Sequence, residues 1–463
     1  MKKVVCLICV LTLLAVGGIV TVVKQVNQDK DTVTITEKAV YGDVALAEGI
    51  SVDLKVHYDE HLLWDTRYEK DGTVKTDTKF QFSDQGLRWK YQYQDYPVSI
   101  NVSYDSDLDL ETPKEELSGL ARAYREIYEQ TEPGTETCKE VYVKDYYEYY
   151  PLFIRLVLPD NEIWLEERWV SDSAGYVTGE REIFDAFMNF FRIPVAEEDV
   201  IEVVVDRDQS NGMMTQNVSS DYLQLYSESV ITEDGMCYFA LNNHTADDRA
   251  MDTSLIPGGY GLYSFRFGKP GTYSKSGVDS GSLKMTYALQ ENITILHLTL
   301  NKEQTKLLLF TEEAGEYFLS VIDRSTMTLS QKMRLEGWGG IREYDDFLVI
   351  LGERLSLLAV NSEGAYELRF TIPTEHPECN ALVKMTTDAS MDYNGEHLIV
   401  ADWLMEEDYN WVQSCNFDIT ICGPEGIGYY GVYRNSLAVN PSAEYYRYDC
   451  LPFGEDAITV QWK

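Results

Sequence analysis

The chain has 463 residues, with 39 basic and 77 acidic side chains that leave a formal charge of −38. Apolar residues make up 44% and charged residues 25%, the proportions of an ordinary folded protein, which excludes wholesale disorder. So acidic a surface also excludes duplex nucleic acid as a partner and disfavours electrostatic adhesion to anionic lipid.

Met1, Lys2 and Lys3 precede an unbroken uncharged run from Val4 to Val23. A helix of this length spans about 30 Å, the thickness of a bilayer's hydrocarbon core, so residues 1–24 are expected to be a transmembrane anchor. Ala15-Val16-Gly17 resembles a signal-peptide cleavage site, yet apolar side chains continue well past Gly17, further than a cleaved leader needs. A very short inner tail before the span and a large domain after it place the N-terminus in the cytoplasm. The bulk is then extracytoplasmic, held at the cell membrane by one pass.

Residues 25–50 read as a short stalk leading into a strand. From Ser51 to Tyr104 the texture is β: Val52, Leu54, Val56 and Tyr58 recur at every second position, as do Trp89, Tyr91 and Tyr93, then Val98, Ile100 and Val102. Within this stretch His57-Tyr58-Asp59-Glu60-His61 matches the His-x-x-Glu-His pattern of inverzincin metallopeptidases. That chemistry needs both imidazoles on one helical face, with the glutamate beside them as general base. His57 and His61 are the zinc candidates. Against them, the alternation up to Tyr58 is a strand period, which would hold the imidazoles about 13 Å apart.

Asp105, Asp107 and Asp109 alternate, and Glu116 follows eleven positions after Asp105. Calcium takes carboxylates at such spacing with a bidentate glutamate at the twelfth place. The sixth place, however, is Leu110 instead of the glycine that the sharp turn requires. Calcium is the candidate ion here, solvated acidic loop the alternative, and no other cofactor is expected.

Thr112-Pro113-Lys114-Glu115 reads as a helix start, followed by an apolar stripe of Leu117, Leu120, Ala121, Tyr124 and Ile127 that should end near Gln130. A second helix is expected from about Glu180 to Arg192, carrying Ile183, Phe184, Phe187, Met188 and Phe191. Between them Tyr142, Tyr146, Tyr147, Tyr149 and Tyr150 cluster, either as core and cross-strand pairs or as a partner surface. These segments define a membrane-proximal α+β domain over 25–200.

From 201 to 463 helical periodicity disappears, and short apolar strands alternate with polar turns. Expected strands include Met236–Leu241, Leu262–Phe267, Ile293–Leu300, Lys306–Thr311, Tyr317–Asp323, Phe347–Leu351, Leu355–Asn361, Ala365–Phe370, His397–Trp403, Phe417–Cys422 and Ile427–Tyr433. Three segments, beginning at Phe318, Leu357 and Ile419, share a strand–turn–strand layout that resembles the hairpins of β-propeller blades. The whole layout resembles membrane-anchored extracytoplasmic β-propeller-like proteins of Gram-positive bacteria, for which no activity is assigned. The resemblance implies a mainly β fold with a C-terminal β-propeller-like domain; β-sandwiches are the alternative. Six cysteines lie beyond the span, at 138, 237, 379, 415, 422 and 450, and are expected as isolated buried thiols, with Cys415 and Cys422 the one pair within reach of a disulfide.

The functional expectation is a binding or scaffold protein that takes a protein or a cell-wall glycan. The alternative is an extracytoplasmic hydrolase, acting on glycans through paired carboxylates or on peptides through His57, Glu60 and His61.

Overall fold

Helix α1 (Lys2–Lys30) carries the apolar run and continues about two turns beyond it. This computed structural model describes residues 2–58, 61–82, 97–104, 112–117, 119–165, 177–178, 181–209, 214–218, 226–242, 256, 258–374, 389–405, 413–438, 451–452 and 457–463. The expected stalk is corrected. Lys24, Gln25, Asn27 and Gln28 continue the helix, and Val26 and Val33 pack with Trp64, Leu62, Phe80 and Leu437 on the folded body.

The rest of the chain is mainly β and divides into two compact units, residues 1–93 with 336–463, and residues 94–335. Position 200, where periodicity divides the chain, lies inside the second unit. Strand Val200–Arg207 begins there and pairs antiparallel with Thr135–Tyr142, so a long-range register joins what periodicity had separated.

In the first unit, strands β1 (Ile35–Gly42), β2 (Ile50–Tyr58), β3 (Leu62–Asp71) and β4 (Thr73–Phe82) open the chain. β2, β3 and β4 form a meander whose free edge takes Ile458–Trp462 and Leu451–Pro452. β1 leaves this sheet and pairs with Gly426–Asn435, completing a sheet of Ser390–Tyr393, Leu398–Met405 and Gln413–Gly423. The first strand thereby closes a sheet built from the far end of the chain. A further sheet holds Gly340–Glu343, Phe347–Leu351, Arg354–Val360 and Tyr366–Pro373. Period-two alternation turns Ile50, Val52, Leu54 and Val56 of β2 onto Ile399, Phe417, Ile419 and Ile421 of the β1 sheet.

The second unit contains two four-stranded meanders, Tyr226–Ile231 to Val278–Ala288 and Ile293–Leu300 to Thr328–Leu335. A third sheet combines Val98–Val102, Leu152–Leu158 and Asn161–Leu165 with the short parallel strand Val177–Thr178. Helix α3 (Arg181–Phe190) buries Ile183, Phe184 and Phe187 between that sheet and the first meander. Helix α2 (Gly119–Gln130) covers the sheet of Thr135–Tyr142, Val200–Arg207 and Met214–Val218. It starts later than the Pro113 signal suggests. Gly119 adopts φ +52°, and a Cβ there would meet the Tyr147 hydroxyl at 2.1 Å, so the chain breaks between a single turn at Lys114–Glu116 and the helix proper.

Each of the three blade-like hairpins expected from sequence joins the third and fourth strands of its own sheet. Two of these sheets are four consecutive antiparallel strands, the internal organisation of a propeller blade, and the third carries β1 as a fifth strand beyond its four consecutive ones. Among the described residues no sheet closes on itself.

Candidate functional site

His57 sits in β2, paired with Leu63 on one side and Leu451 on the other, and is 5% exposed. His61 is exposed in the turn that enters β3. The segment through Tyr58 is a strand, so the helical spacing that a zinc peptidase needs is not present there. Glu60 lies outside the described residues, as do Asp105, Asp107 and Asp109 of the calcium pattern; Glu116 is in the single turn before α2. Among the described residues, no three His, Cys, Asp or Glu side chains converge as metal ligands would.

The tyrosine cluster is bound into the second unit. Tyr147 accepts a hydrogen bond from the Leu120 amide (3.1 Å), capping α2. Tyr150 donates to Asp199 and accepts from the Ala196 amide. Tyr146 lies under the Arg122 guanidinium at 5.1 Å, and Tyr149 under that of Arg192 at 3.9 Å. Tyr142 remains 52% exposed. The cysteines correct one expectation: Cys237, Cys415 and Cys422 are buried free thiols, but Cys138 is exposed, and Cys379 and Cys450 lie outside the described residues. Burial pushes the Cys422 thiol up to about 12.

The most developed polar site is one that sequence patterns did not single out. It lies where β1, β3 and Gly426–Asn435 meet in the first unit. Lys70 Nζ reaches both carboxylate oxygens of Glu37 at 2.9 Å, with side-chain exposures of 8% and 16%. Tyr429 donates to Glu37 Oε1 at 2.7 Å. Its single proton being so committed, the 2.9 Å contact between the two hydroxyls is one in which Tyr433 donates to Tyr429. Tyr68 meets the Tyr433 ring edge-on at 5.4 Å, while Phe417 stacks on it at 4.9 Å. The Tyr68 hydroxyl is buried with no hydrogen-bond partner among the described residues.

Desolvation, followed by the Glu37 charge, holds the Tyr68 hydroxyl well above the usual phenol range, and burial does the same for Tyr429 and Tyr433. These phenols therefore stay protonated at neutral pH, unsuited to serve as bases, and Tyr429 and Tyr433 act as hydrogen-bond donors. The chemistry here is recognition of β1 by the rest of the sheet. A register signal was available, since Tyr429 and Tyr433 fall on one face of one strand, but nothing in the sequence pointed to Glu37 or Lys70 as their partners.

No protein family and no curated protein sequence matches the chain. Among solved structures it is similar to a KlHsv2 variant with a replaced loop, at 6% identity and a TM-score of 0.23, covering 43% of this chain and 48% of that one. The β-propeller domain of Cps50 (Swd1) from Myceliophteria thermophila matches at 9% identity and a TM-score of 0.25, over 60% of this chain and 92% of that one. The Pseudomonas aeruginosa periplasmic gluconolactonase PpgL matches at 10% identity and a TM-score of 0.31, over 83% of this chain and 99% of that one. At such scores the fold class rests on the chain's own sheets: it is a mainly β protein with one apolar N-terminal helix.

Proposed function

We propose that this chain is a single-pass membrane protein that displays its β-sheet units on the extracytoplasmic side as a scaffold for a protein or glycan partner. The observation that carries the reading is the exposure of α1. Leu13 is 72% exposed, Leu14 67%, Ile19 64% and Val20 61%, and only 6% of the span Val10–Gln28 is buried. A core helix would cover these side chains with protein; a lipid phase would cover them here, at a gain of roughly 1.5–3 kcal/mol for each large one.

Retention of the helix is supported by its continuity. α1 runs unbroken across Gly17, and a cut there would leave Ile19, Val20 and Val22 as an oily stub on the folded body. The two lysines before the span and the size of the body after it favour an inner N-terminus. The binding role draws on the folded units themselves, in which Glu37, Lys70 and Tyr429 are engaged in holding sheets together.

Carbonate extraction and protease treatment of intact cells together test the reading. The chain should stay in the membrane pellet, and its folded units should be digested from outside. Release into the supernatant, or protection of the units until the cells are broken, would overturn it. Cross-linking in intact cells should then recover a protein or cell-wall glycan in covalent contact with the full chain.

A further inference from the structure

We propose that the open end of the β3–β4 hairpin, centred on Phe82, is a seat for the phospholipid headgroup layer, so that the first unit rests on the bilayer that α1 spans. This inference rests on the anchor reading above.

Depth along α1 comes first. Val26 lies three positions past the last residue of the apolar run, about 4.5 Å, which falls within the 5–7 Å or so of headgroup region on one side of a bilayer. Val26 is only 8% exposed, because it packs with Trp64, Leu62 and Phe80. Those side chains are thereby held at headgroup depth. There is no flexible tether between span and body to lift them away.

Direction along the hairpin comes next. The chain leaving α1 passes Val33, still in the Trp64 cluster, and reaches Glu37, whose carboxylate bonds Lys70, six positions further along β3. The Lys70 end of β3, paired with Val74 of β4, therefore points away from α1. The opposite end, where Leu62 pairs with Phe82, lies on the α1 side. Phe82 sits edge-on to Phe80 at 5.4 Å and is 48% exposed.

An exposed aromatic ring on the membrane side of a rigidly attached sheet suits the interfacial zone, where ring and headgroup replace ring and water. Lys24 and Lys79, close in the chain to Val26 and Phe80, offer ammonium groups to lipid phosphates. The same strand supplies its own control. Val74 shares the Phe82 face of β4 and is 53% exposed, but lies about 27 Å away.

The full chain, reconstituted in phosphatidylcholine vesicles, tests this with two variants, Phe82→Trp and Val74→Trp, each read as the emission gained over the parent. Circular dichroism confirms that each is folded. Phe82→Trp should add blue-shifted emission that is lost when the vesicles carry headgroup spin-labelled lipid and that iodide does not quench. Val74→Trp should add water-like emission, quenched by iodide and untouched by the lipid label. If Phe82→Trp behaves like Val74→Trp while the chain survives a carbonate wash, the seat is wrong and the anchor stands. Blue-shifted emission that no lipid label quenches would mean that protein, such as a second copy, covers Phe82, and overturns the seat as well. Release of the chain from the vesicles by carbonate would sink both readings.

Discussion

The two units are built from the same kind of antiparallel sheet, yet their interiors differ in what holds the elements together. Both carry buried polar bonds between sheets, Val98 with Ser227 and Ser229 in the second, but among the described residues only the first buries an ion pair there. In the second unit α3 meets the sheets through apolar side chains, rings foremost: Phe187 approaches Phe265 at 5.6 Å and Phe239 at 6.4 Å, Phe191, just past the helix, meets Tyr263 at 5.0 Å, and Ile183 is buried beside them. In the first unit the junction of the β1 and β2 sheets includes the Lys70–Glu37 ion pair and the Tyr429–Tyr433 chain of hydroxyls. Burial of apolar surface is strong but non-directional. Polar bonds in a buried place are demanding, since each unmet group carries its full desolvation cost. The demanding chemistry occurs where the chain has the most to specify: β1 must find a partner strand almost four hundred residues away, in one register and no other.

Alkali should strain this comparison most, because it acts on several buried phenols at once. Tyr68, Tyr429 and Tyr433 hold their protons more tightly folded than unfolded, and Tyr344 is pushed up to about 12 by burial. The native state then binds more protons than the unfolded state once pH passes the ordinary phenol value. Stability is intact below about pH 10 and is lost as pH rises beyond it. Denaturant midpoints measured at pH 8, 10 and 11 should fall only between the last two; a flat profile would mean that the phenols are solvated.

Next in size, Phe187→Ala should cost about 3–5 kcal/mol. Hydrogen exchange should quicken in residues 94–335 and leave the first unit unchanged. Equal quickening of both would mean that the units do not stand as separate packing systems. Lys70→Met should cost about 3 kcal/mol by stranding the Glu37 carboxylate, and adding Glu37→Leu should recover most of it, since the apolar pair replaces the ionic one. Failure of the second change to rescue the first would show that Lys70 acts through packing instead of charge.

The finest test separates two phenols in one cluster. Tyr433→Phe removes the donor to Tyr429 and should cost about 1 kcal/mol. Tyr68→Phe removes a hydroxyl that has no hydrogen bond among the described residues and should be neutral or slightly stabilising. Equal losses at both positions would place an unrecognised partner on Tyr68.

Much of this architecture can be read from local pattern, and the particular successes and misses show why. Strand Ile293–Leu300 and strand Phe347–Leu351 arise directly from dense apolar stretches between polar turns. Strand Val278–Ala288, half-exposed along most of its length, carries no such contrast and escapes notice. α2 ends at Gln130, where its apolar stripe runs out, but begins at Gly119 because Tyr147, distant in the chain, occupies the space. The His57 pattern is a matter of letters; His57 lies in a strand and not on the helix that the motif requires. The Glu37–Lys70–Tyr429 cluster was invisible for the complementary reason, being assembled from strands whose sequences give no hint of one another.

What the sequence by itself determined is therefore what depends on neighbours along the chain: an uncharged run long enough to cross a bilayer as a helix, a mainly β body, and three strand–turn–strand hairpins. Only the tertiary structure decided which strands share a sheet, that α1 continues onto the folded body through Val26, and that a carboxylate on the first strand is met by a lysine and a tyrosine from elsewhere. Periodicity is set by the geometry of one element, whereas pairing is set by the free energy of closing long loops, and that quantity is written in no single segment.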